Sequence, residues 1–289
     1  MKFAYLIMAH NEPVIFDRLV HLLDDERNDI FVHVDSRSDE GLFAGVKPSQ
    51  SNIYFMPQRR PVYWGGGSQV KLELDLMKFA KSYGNYDYYH LLSGIDLPLK
   101  NQDYIHSFFE NNRGKEFIGV TFSAYNEWDK DRKTKYYYWG EKYNRASHIA
   151  DRFCRKMSSA FVLLQKMLHI ARRYDVRLYK GPNWFSITDS FLSYVIKHKA
   201  SILKRFNHTL CPDEIFLQTE LMNSDFKDFI YDINDQFHSC MRLIDWHRGS
   251  PYVWRSKDFE ELMSSDRLFA RKFSSEDMGI VEKIYKYLK

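Results

Sequence analysis

From Phe3 to Phe122, short apolar runs alternate with amphipathic stretches. That alternation restricts the chain to a mostly parallel sheet covered by helices, an α/β class. Strands are predicted over Phe3–Met8, Asp29–Val34, Asn52–Met56, Tyr86–Leu92 and Phe117–Phe122. Helical spacing of apolar residues predicts helices over Pro13–Leu23 and Gln69–Tyr83, with a shorter one over His106–Asn111. Beyond Phe122 the pattern turns more helical. Tyr125–Tyr143 is polar, aromatic and predicted irregular, and Ala146–Arg173 reads as a long basic amphipathic helix. A strand over Trp184–Ile187 precedes helices over Asp189–Ile196 and Pro212–Leu221. Ser239–Ile244 predicts a late strand, Asp258–Met263 a helical turn and Gly279–Leu288 a closing helix. Neither a repeat nor a low-complexity linker divides the sequence, so one domain over 1–289 is expected, with halves 1–121 and 122–289.

A net charge of +4 is too small to argue for nucleic acid. Cys154, Cys211 and Cys240 are odd in number and widely spaced, which fits a reducing compartment and no disulfide framework. Phe3–Ala9 imitates a signal-peptide core but runs into His10-Asn11-Glu12 without a small-residue cleavage pattern, so it reads as a buried strand. No segment reaches the roughly 20 apolar residues of a membrane span. The expected setting is cytoplasmic, with peripheral contact to the inner face of the membrane through 146–173 as one reading of the basic helix; a core-packed helix with a solvated basic face is the other.

In open α/β sheets, ligands sit beyond the carboxyl ends of the strands. Here those ends deliver His10, Asn11 and Glu12; His33, Asp35, Ser36 and Arg37; and Ser93, Gly94 and Asp96. Asp35 suits a ribose and equally suits a turn. Gly65-Gly66-Gly67-Ser68, beside Trp64, resembles a phosphate-cradling turn but lacks both GxGxxG and GK[ST] spacing, and a plain flexible turn explains it as well. Cys211-Pro212-Asp213-Glu214 places two acids in a first helical turn, where they serve as a helix start or as a general base. Asp129-Lys130-Asp131 has a metal-binding spacing, yet no apolar strand precedes it, and it reads as solvated surface. Arg271-Lys272, between Leu268-Phe269-Ala270 and Phe273, offers a fork and a point charge to a diphosphate, or two snorkelling side chains.

These segments, in order, resemble the core-2/I-branching glycosyltransferases, the family that includes peptide O-xylosyltransferases. The matching pieces are Ala4-Tyr5-Leu6-Ile7-Met8-Ala9-His10, Phe31-Val32-His33-Val34-Asp35 and Val62-Tyr63-Trp64-Gly65. They continue with Tyr88 to Leu99 around Ser93-Gly94-Ile95-Asp96-Leu97-Pro98, Gly181-Pro182-Asn183-Trp184-Phe185, Pro212-Asp213-Glu214 and Leu268 to Phe273. The resemblance implies a GT-A-like fold and inverting, metal-independent transfer from a UDP-sugar, with GlcNAc or xylose as the sugar. It assigns Glu214 as base and Lys272 to the diphosphate, with Arg248 or Arg255 as a further cation. Asp35 would hold the nucleoside, with Asp96 and Trp64 near the donor sugar. His10, Arg37, Gly65 and Arg271 complete the expected donor side, and Trp184, Asp213 and Glu141 the acceptor side. A glycan or lipid-linked glycan acceptor, no cofactor, and a minimal bacterial member making surface polysaccharide are the corresponding expectations. Two alternatives stay open: a non-catalytic sugar-nucleotide binder of the same fold, and a glycoside hydrolase using paired carboxylates.

Overall fold

The computed structural model describes residues 1–144 and 149–289. The strands are β1 (Phe3–Ala9), β2 (Asn28–Val34), β3 (Asn52–Phe55), β4 (Tyr88–Ser93), β5 (Asp96–Pro98), β6 (Phe117–Ile118), β7 (Phe185–Thr188), β8 (Arg242–Ile244) and β9 (Phe269–Arg271). The central sheet has the order β3-β2-β1-β4-β7-β6. β1 to β4 are mutually parallel, whereas β7 is antiparallel to both β4 and β6. The expected α/β class with a mostly parallel sheet and a more helical second half is what the chain forms.

Period-two alternation explains the layering. Phe3, Tyr5, Ile7 and Ala9 of β1 enter one apolar core, and Ala4 and Leu6 enter the other. The first core is closed by the helices Pro13–Leu22, Gln102–Asn111 and Met278–Leu288, through residues such as Phe16, Phe109 and Ile284. On the opposite face lie Gly67–Lys81, Asp189–Lys197 and Phe216–Met222, which contribute Leu74, Phe191 and Phe216. A second sheet, β5-β9-β8, packs into the first core through Leu97 and Phe269. Buried Arg242 ties it to the main sheet. Its Nη2 donates to the Phe185 carbonyl at 3.0 Å, its Nη1 donates to the Cys240 carbonyl at 2.7 Å, and its guanidinium lies 4.4 Å over the Phe269 ring.

Several elements depart from expectation for local reasons. The strand predicted over Phe117–Phe122 ends at Ile118, because at Gly119 the chain passes so close to Gln236 that a Cβ would lie 2.2 Å from its carbonyl oxygen. Tyr125–Tyr143 is not irregular throughout: Ala124–Thr134 is a helix, with the Ser123 hydroxyl accepting from the Asn126 N–H. Pro212–Glu214 is a 3-10 turn, and the α-helix begins only at Phe216, after Ile215 takes φ −132°. The long basic helix spans Ile149–Met167 and stops short of Arg173, with His169 left-handed at φ 54°. Its expected first residues, Ala146 to His148, lie outside the described residues. β5, β9 and the helix Lys199–Phe206 have no counterpart in the sequence reading.

Gly181 is the tightest backbone crossing near the sheet's carboxyl edge. Its N–H donates to the Glu214 carbonyl at 3.0 Å, and a Cβ there would stand 1.9 Å from the Gly119 carbonyl oxygen. Gly181→Ala forces two backbone segments apart and is expected to lower stability by about 1–3 kcal/mol, the usual range for overpacking. Denaturant unfolding checks this; an unchanged midpoint would show that the crossing is loose.

Candidate active site at the carboxyl ends of the central strands

The ends of β1, β2 and β4 present His10, Asp35 and Asp96 along one edge of the sheet, where a ligand cleft is expected. Asp35 is buried and fully engaged. Its two oxygens accept from the Arg37 N–H at 2.9 Å, the Arg37 guanidinium at 2.7–2.9 Å and the Val62 N–H at 2.9 Å. Burial alone would raise this carboxyl; those donors outweigh it and lower its pKa. Arg37 lies 4.7 Å over the Tyr63 ring, so Asp35, Arg37 and Tyr63 form a prebuilt corner. The His10 imidazole is partly desolvated, although the residue as a whole is exposed. Desolvation lowers its pKa against the pull of Asp35, and Arg37 and Arg271 add to the lowering.

β5 and β9 place Asp96 directly opposite Arg271. Asp96 is buried and accepts from the Ser93 N–H at 2.8 Å and the Ser93 hydroxyl at 2.6 Å; the Arg271 Nε stands 3.3 Å away. Burial pushes both partners toward their neutral forms, and their mutual attraction opposes it. The Arg271 guanidinium lies 4.1 Å over Trp184, and among the described residues it makes no hydrogen bond. Lys272, next along the chain, has no charged or hydrogen-bonding side-chain partner among the described residues. Trp184, expected on the acceptor side, is thus nearly buried beneath the Asp96–Arg271 pair. Arg248 is held by Asp245, by Glu261 at 2.7 Å and by Asp258 at 3.4 Å. It stacks 4.5 Å over Tyr252, whose carbonyl accepts from the Lys272 N–H. Arg255 pairs with Glu276 at 3.0 Å.

Glu214 sits in a four-charge cluster. Its Oε2 is 2.6 Å from the Lys133 Nζ and 3.4 Å from the Lys180 Nζ, and both ammoniums also reach Asp129 Oδ2, at 2.8 and 3.4 Å. Glu214 Oε1 takes no hydrogen bond among the described residues, and the side chain is 32% exposed. One oxygen is therefore anchored and the other is open. Asp129, read from sequence as solvated surface, is buried. Burial would raise its carboxyl, but hydrogen bonds from Lys133 and Arg132 overcome it and bring it down to about 2. Asp131 does stay exposed. Lys133 and Lys180 escaped the sequence reading; the only signal was the i, i+4 spacing of Asp129 and Lys133. The segment Gly181–Trp184 joins the two charge clusters, since Gly181 bonds the Glu214 carbonyl and Trp184 carries Arg271.

Two further expectations land elsewhere. Asp213, assigned to the acceptor, is buried with its Oδ2 3.4 Å from Gln69 Nε2. Glu141 turns its carboxylate into the glycine turn, accepting from the Ser68 N–H at 3.2 Å. The start of the Gly67–Lys81 helix, where a phosphate would bind, is thus met by Glu141. A Cβ on Gly66 would collide with that side chain at 2.0 Å. Gly65 is left-handed at φ 69°, and its carbonyl accepts from the Cys211 N–H, which links this turn to the Glu214 turn. Trp64 is about half exposed. Among the described residues no group of three or more His, Cys, Asp or Glu side chains is placed to hold a metal ion.

The family model described as Core-2/I-Branching enzyme matches residues 3–278. Xylosyltransferase 2 of Rattus norvegicus is 26% identical over 95% of this chain, and xylosyltransferase 2 of Homo sapiens 25% over the same share. Human xylosyltransferase 1 is 23% identical, also over 95% of this chain. The chain covers only 32% of the xylosyltransferase 2 sequences and 29% of xylosyltransferase 1.

Beneath Glu214 lies a second pair of acids. Glu73 is fully buried, neither of its oxygens has a hydrogen-bond partner among the described residues, and Asn183 Oδ1 and Gln218 Oε1 are similarly unmet. Burial, with Asp213 nearby, raises the Glu73 carboxyl well above the usual glutamate value. Burial and then Glu214 push Asp213 up to about 7. Below the unfolded-chain values both states hold these protons; above them only the folded state does, so stability falls as pH rises, until the folded values are passed. Glu73→Gln keeps the shape of the neutral acid and removes its share, about 1.4 kcal/mol per pH unit at most. Unfolding in urea at about pH 5 and pH 7 should show a shallower decline for the variant. An identical decline would mean that Glu73 is ionised in the folded protein.

Proposed function

The chain belongs to the Core-2/I-branching enzyme family, and from that premise we propose that it is an inverting, metal-independent glycosyltransferase of GT-A type. In this reading it moves a sugar from a UDP-sugar to a hydroxyl of a glycan acceptor. The observation that carries the proposal is the state of Glu214 among the described residues: one oxygen clamped by two lysines and the other open, with a lysine lacking a side-chain partner and an arginine lacking hydrogen bonds reached through Gly181–Trp184.

The chemistry balances with these groups alone. Glu214 Oε1 takes the acceptor hydroxyl proton as the oxygen bonds to the anomeric carbon. The bond from that carbon to the UDP oxygen breaks on the opposite face, and the electron pair leaves with the diphosphate. Clamping Oε2 fixes the direction of Oε1, which is the positional part of general-base catalysis. The charge gathering on the diphosphate meets Lys272 and Arg271, which carry no competing hydrogen bond, in line with electrostatic stabilisation by preset donors. Arg248, held by three carboxylates, stands behind them. Arg37 with the Tyr63 ring, braced by buried Asp35, suits the nucleoside, and Asp96 acts on the sugar side through Arg271 over Trp184. A xylose or GlcNAc donor accords with the family and with the relatives' names. Surface polysaccharide in a bacterium is the setting we assign.

A hydrolase is the weaker reading, because Asp129, the carboxylate that shares lysines with Glu214, is buried and bound by Arg132, Lys133 and Lys180. For a binder without turnover, the open oxygen of Glu214 has no purpose.

Glu214→Gln is expected to keep UDP-sugar binding in calorimetry while transfer falls by about 10²–10⁴-fold. Full turnover in that variant removes Glu214 from the reaction. Lys272→Ala is expected to lower turnover by about 10²–10³-fold, and wild-type activity is expected to persist in EDTA. UDP release that stops in EDTA and returns with a divalent ion would overturn the metal-independent step.

A further inference from the structure

The helix Ile149–Met167 is turned the wrong way round for a soluble protein. Its protein-facing side is fastened by polar contacts beside half-buried Cys154 and Val162: Gln165 is 3% exposed, its Oε1 accepts from the Tyr137 N–H at 2.8 Å and its Nε2 donates to the Tyr137 carbonyl at 2.9 Å. Ser158, on the same side, donates to the Trp139 carbonyl at 2.6 Å. Phe153, Met157 and Leu164 recur at helical spacing on the outward side, followed by Met167 and Leu168, and their exposure runs from 49% to 69%. Ordinary surface helices show the reverse pattern, with apolar residues inward.

Charge says what covers this stripe. Arg152, Arg155, Lys156, Lys166 and Arg173 have no carboxylate partner among the described residues, and Asp151 is the lone acid of the helix. A second copy of the chain would set these cations against one another, whereas an anionic bilayer meets both the cations and the apolar stripe. Exposed Trp139 and Tyr137 flank the helix and suit the interfacial region of a bilayer. At about 1.5 Å per residue the helix offers roughly 28 Å of surface, enough to lie along the headgroup boundary without crossing it. No described helix is long and apolar enough to span a membrane.

We propose that Ile149–Met167 is an in-plane docking helix for an anionic lipid surface. It stands independently of the transfer reaction. Its link to the site is mechanical: the Arg172 N–H donates to the Lys135 carbonyl and the Tyr174 hydroxyl to the Thr134 carbonyl, at the end of the helix that carries Lys133. Docking therefore fixes how the Glu214 side of the cleft is held over the lipid.

The test is co-sedimentation of the full chain with vesicles of equal parts phosphatidylglycerol and phosphatidylcholine, beside vesicles of phosphatidylcholine alone. Binding is expected to the anionic vesicles only, weakening as salt is raised. Met157→Glu with Leu164→Glu, and separately Arg152→Glu with Lys156→Glu, should each weaken it at least about tenfold with unchanged circular dichroism. Because these side chains are exposed, folding should survive, and turnover on a soluble acceptor should be unaffected. Failure to sediment at low salt overturns the proposal. So does binding that ignores lipid charge, or a concentration-dependent dimer, lost in the Met157/Leu164 variant, that leaves the helix unable to bind vesicles. None of these outcomes touches the role of Glu214, which is read from turnover.

Discussion

The reversal of β7 is the constraint on which the site depends. Because β7 runs against β4, with Tyr88 opposite Thr188 and His90 opposite Ser186, its first residue stands near the carboxyl end of β4. The residues that lead into it, Gly181 to Trp184, are thereby delivered to the edge where His10, Asp35 and Asp96 emerge. A parallel strand in the same slot would enter from the other edge and carry Asn183 and Trp184 away from these residues. Two backbone facts hold the entry in place: Gly181 is pressed against Gly119, and Arg242 bonds the Phe185 carbonyl from the second sheet. The fold thus commits a run of four residues to bridging a carboxylate cluster and a cation pair.

Charge within the Glu214 cluster is shared between the carboxylates, and Arg132 adds a third cation at Asp129. Asp129 and Glu214 supply two negative charges, Lys133 and Lys180 two positive, and the distances of 2.6–3.4 Å let each ammonium serve both carboxylates. Buried ions are tolerated only when paired, so Asp129 requires its lysines whether or not a substrate is present. Glu73 and Asp213, deeper still, have their carboxyl pKa values raised by the same burial, which lowers that cost. Stability and function therefore pull on overlapping residues. In the cation pair the arrangement differs: among the described residues Arg271 has the Asp96 ion pair but no hydrogen bond, and Lys272 has no side-chain partner. A site kept ready for a negatively charged ligand has that form.

What the sequence could and could not reveal follows from the same physics. Strands β1 to β4 and the helices that cover them rest on burial, and burial writes a period into the sequence; Phe3, Tyr5 and Ile7 against Ala4 and Leu6 is such a period. Glu214, Arg271 and Lys272 were legible because they stand in contiguous segments that resemble a family. Lys133 and Lys180 were not, since Glu214 lies 81 and 34 positions from them, and the i, i+4 spacing of Asp129 and Lys133 does not point to it. The helix Ala124–Thr134 was misread because charge pairs and a Ser123 cap hold it, with few apolar residues to betray a face. β5 and β9, three residues each, are too short to show alternation, and only their pairing across the chain makes Asp96 meet Arg271. Asp213 was misplaced for a related reason: the 3-10 turn rotates it inward, which an α-helical first turn would not suggest.

The misread helix has the larger consequence. An element fastened mainly by ion pairs and caps can be displaced without opening an apolar core, so its position answers to charge and to whatever its ends are tied to. One face of Ala124–Thr134 holds Lys133 against Glu214, and its carboxyl end is bonded by Arg172 and Tyr174 from the chain that leaves the outward apolar helix. Lys133 is also shared between two carboxylates, so any shift that favours Asp129 loosens Glu214 and frees its second oxygen to rotate. The clamp on the Glu214 carboxylate is for that reason a property of three segments at once: the 3-10 turn, the polar helix and the segment that follows Met167. Truncating Lys133 takes a close partner from Asp129 and Glu214 at once, so that single substitution reads larger than either interaction alone. Apportioning the energy among Asp129, Lys133 and Glu214 therefore requires double-mutant cycles, with Lys133→Met against each carboxamide as the informative pairs.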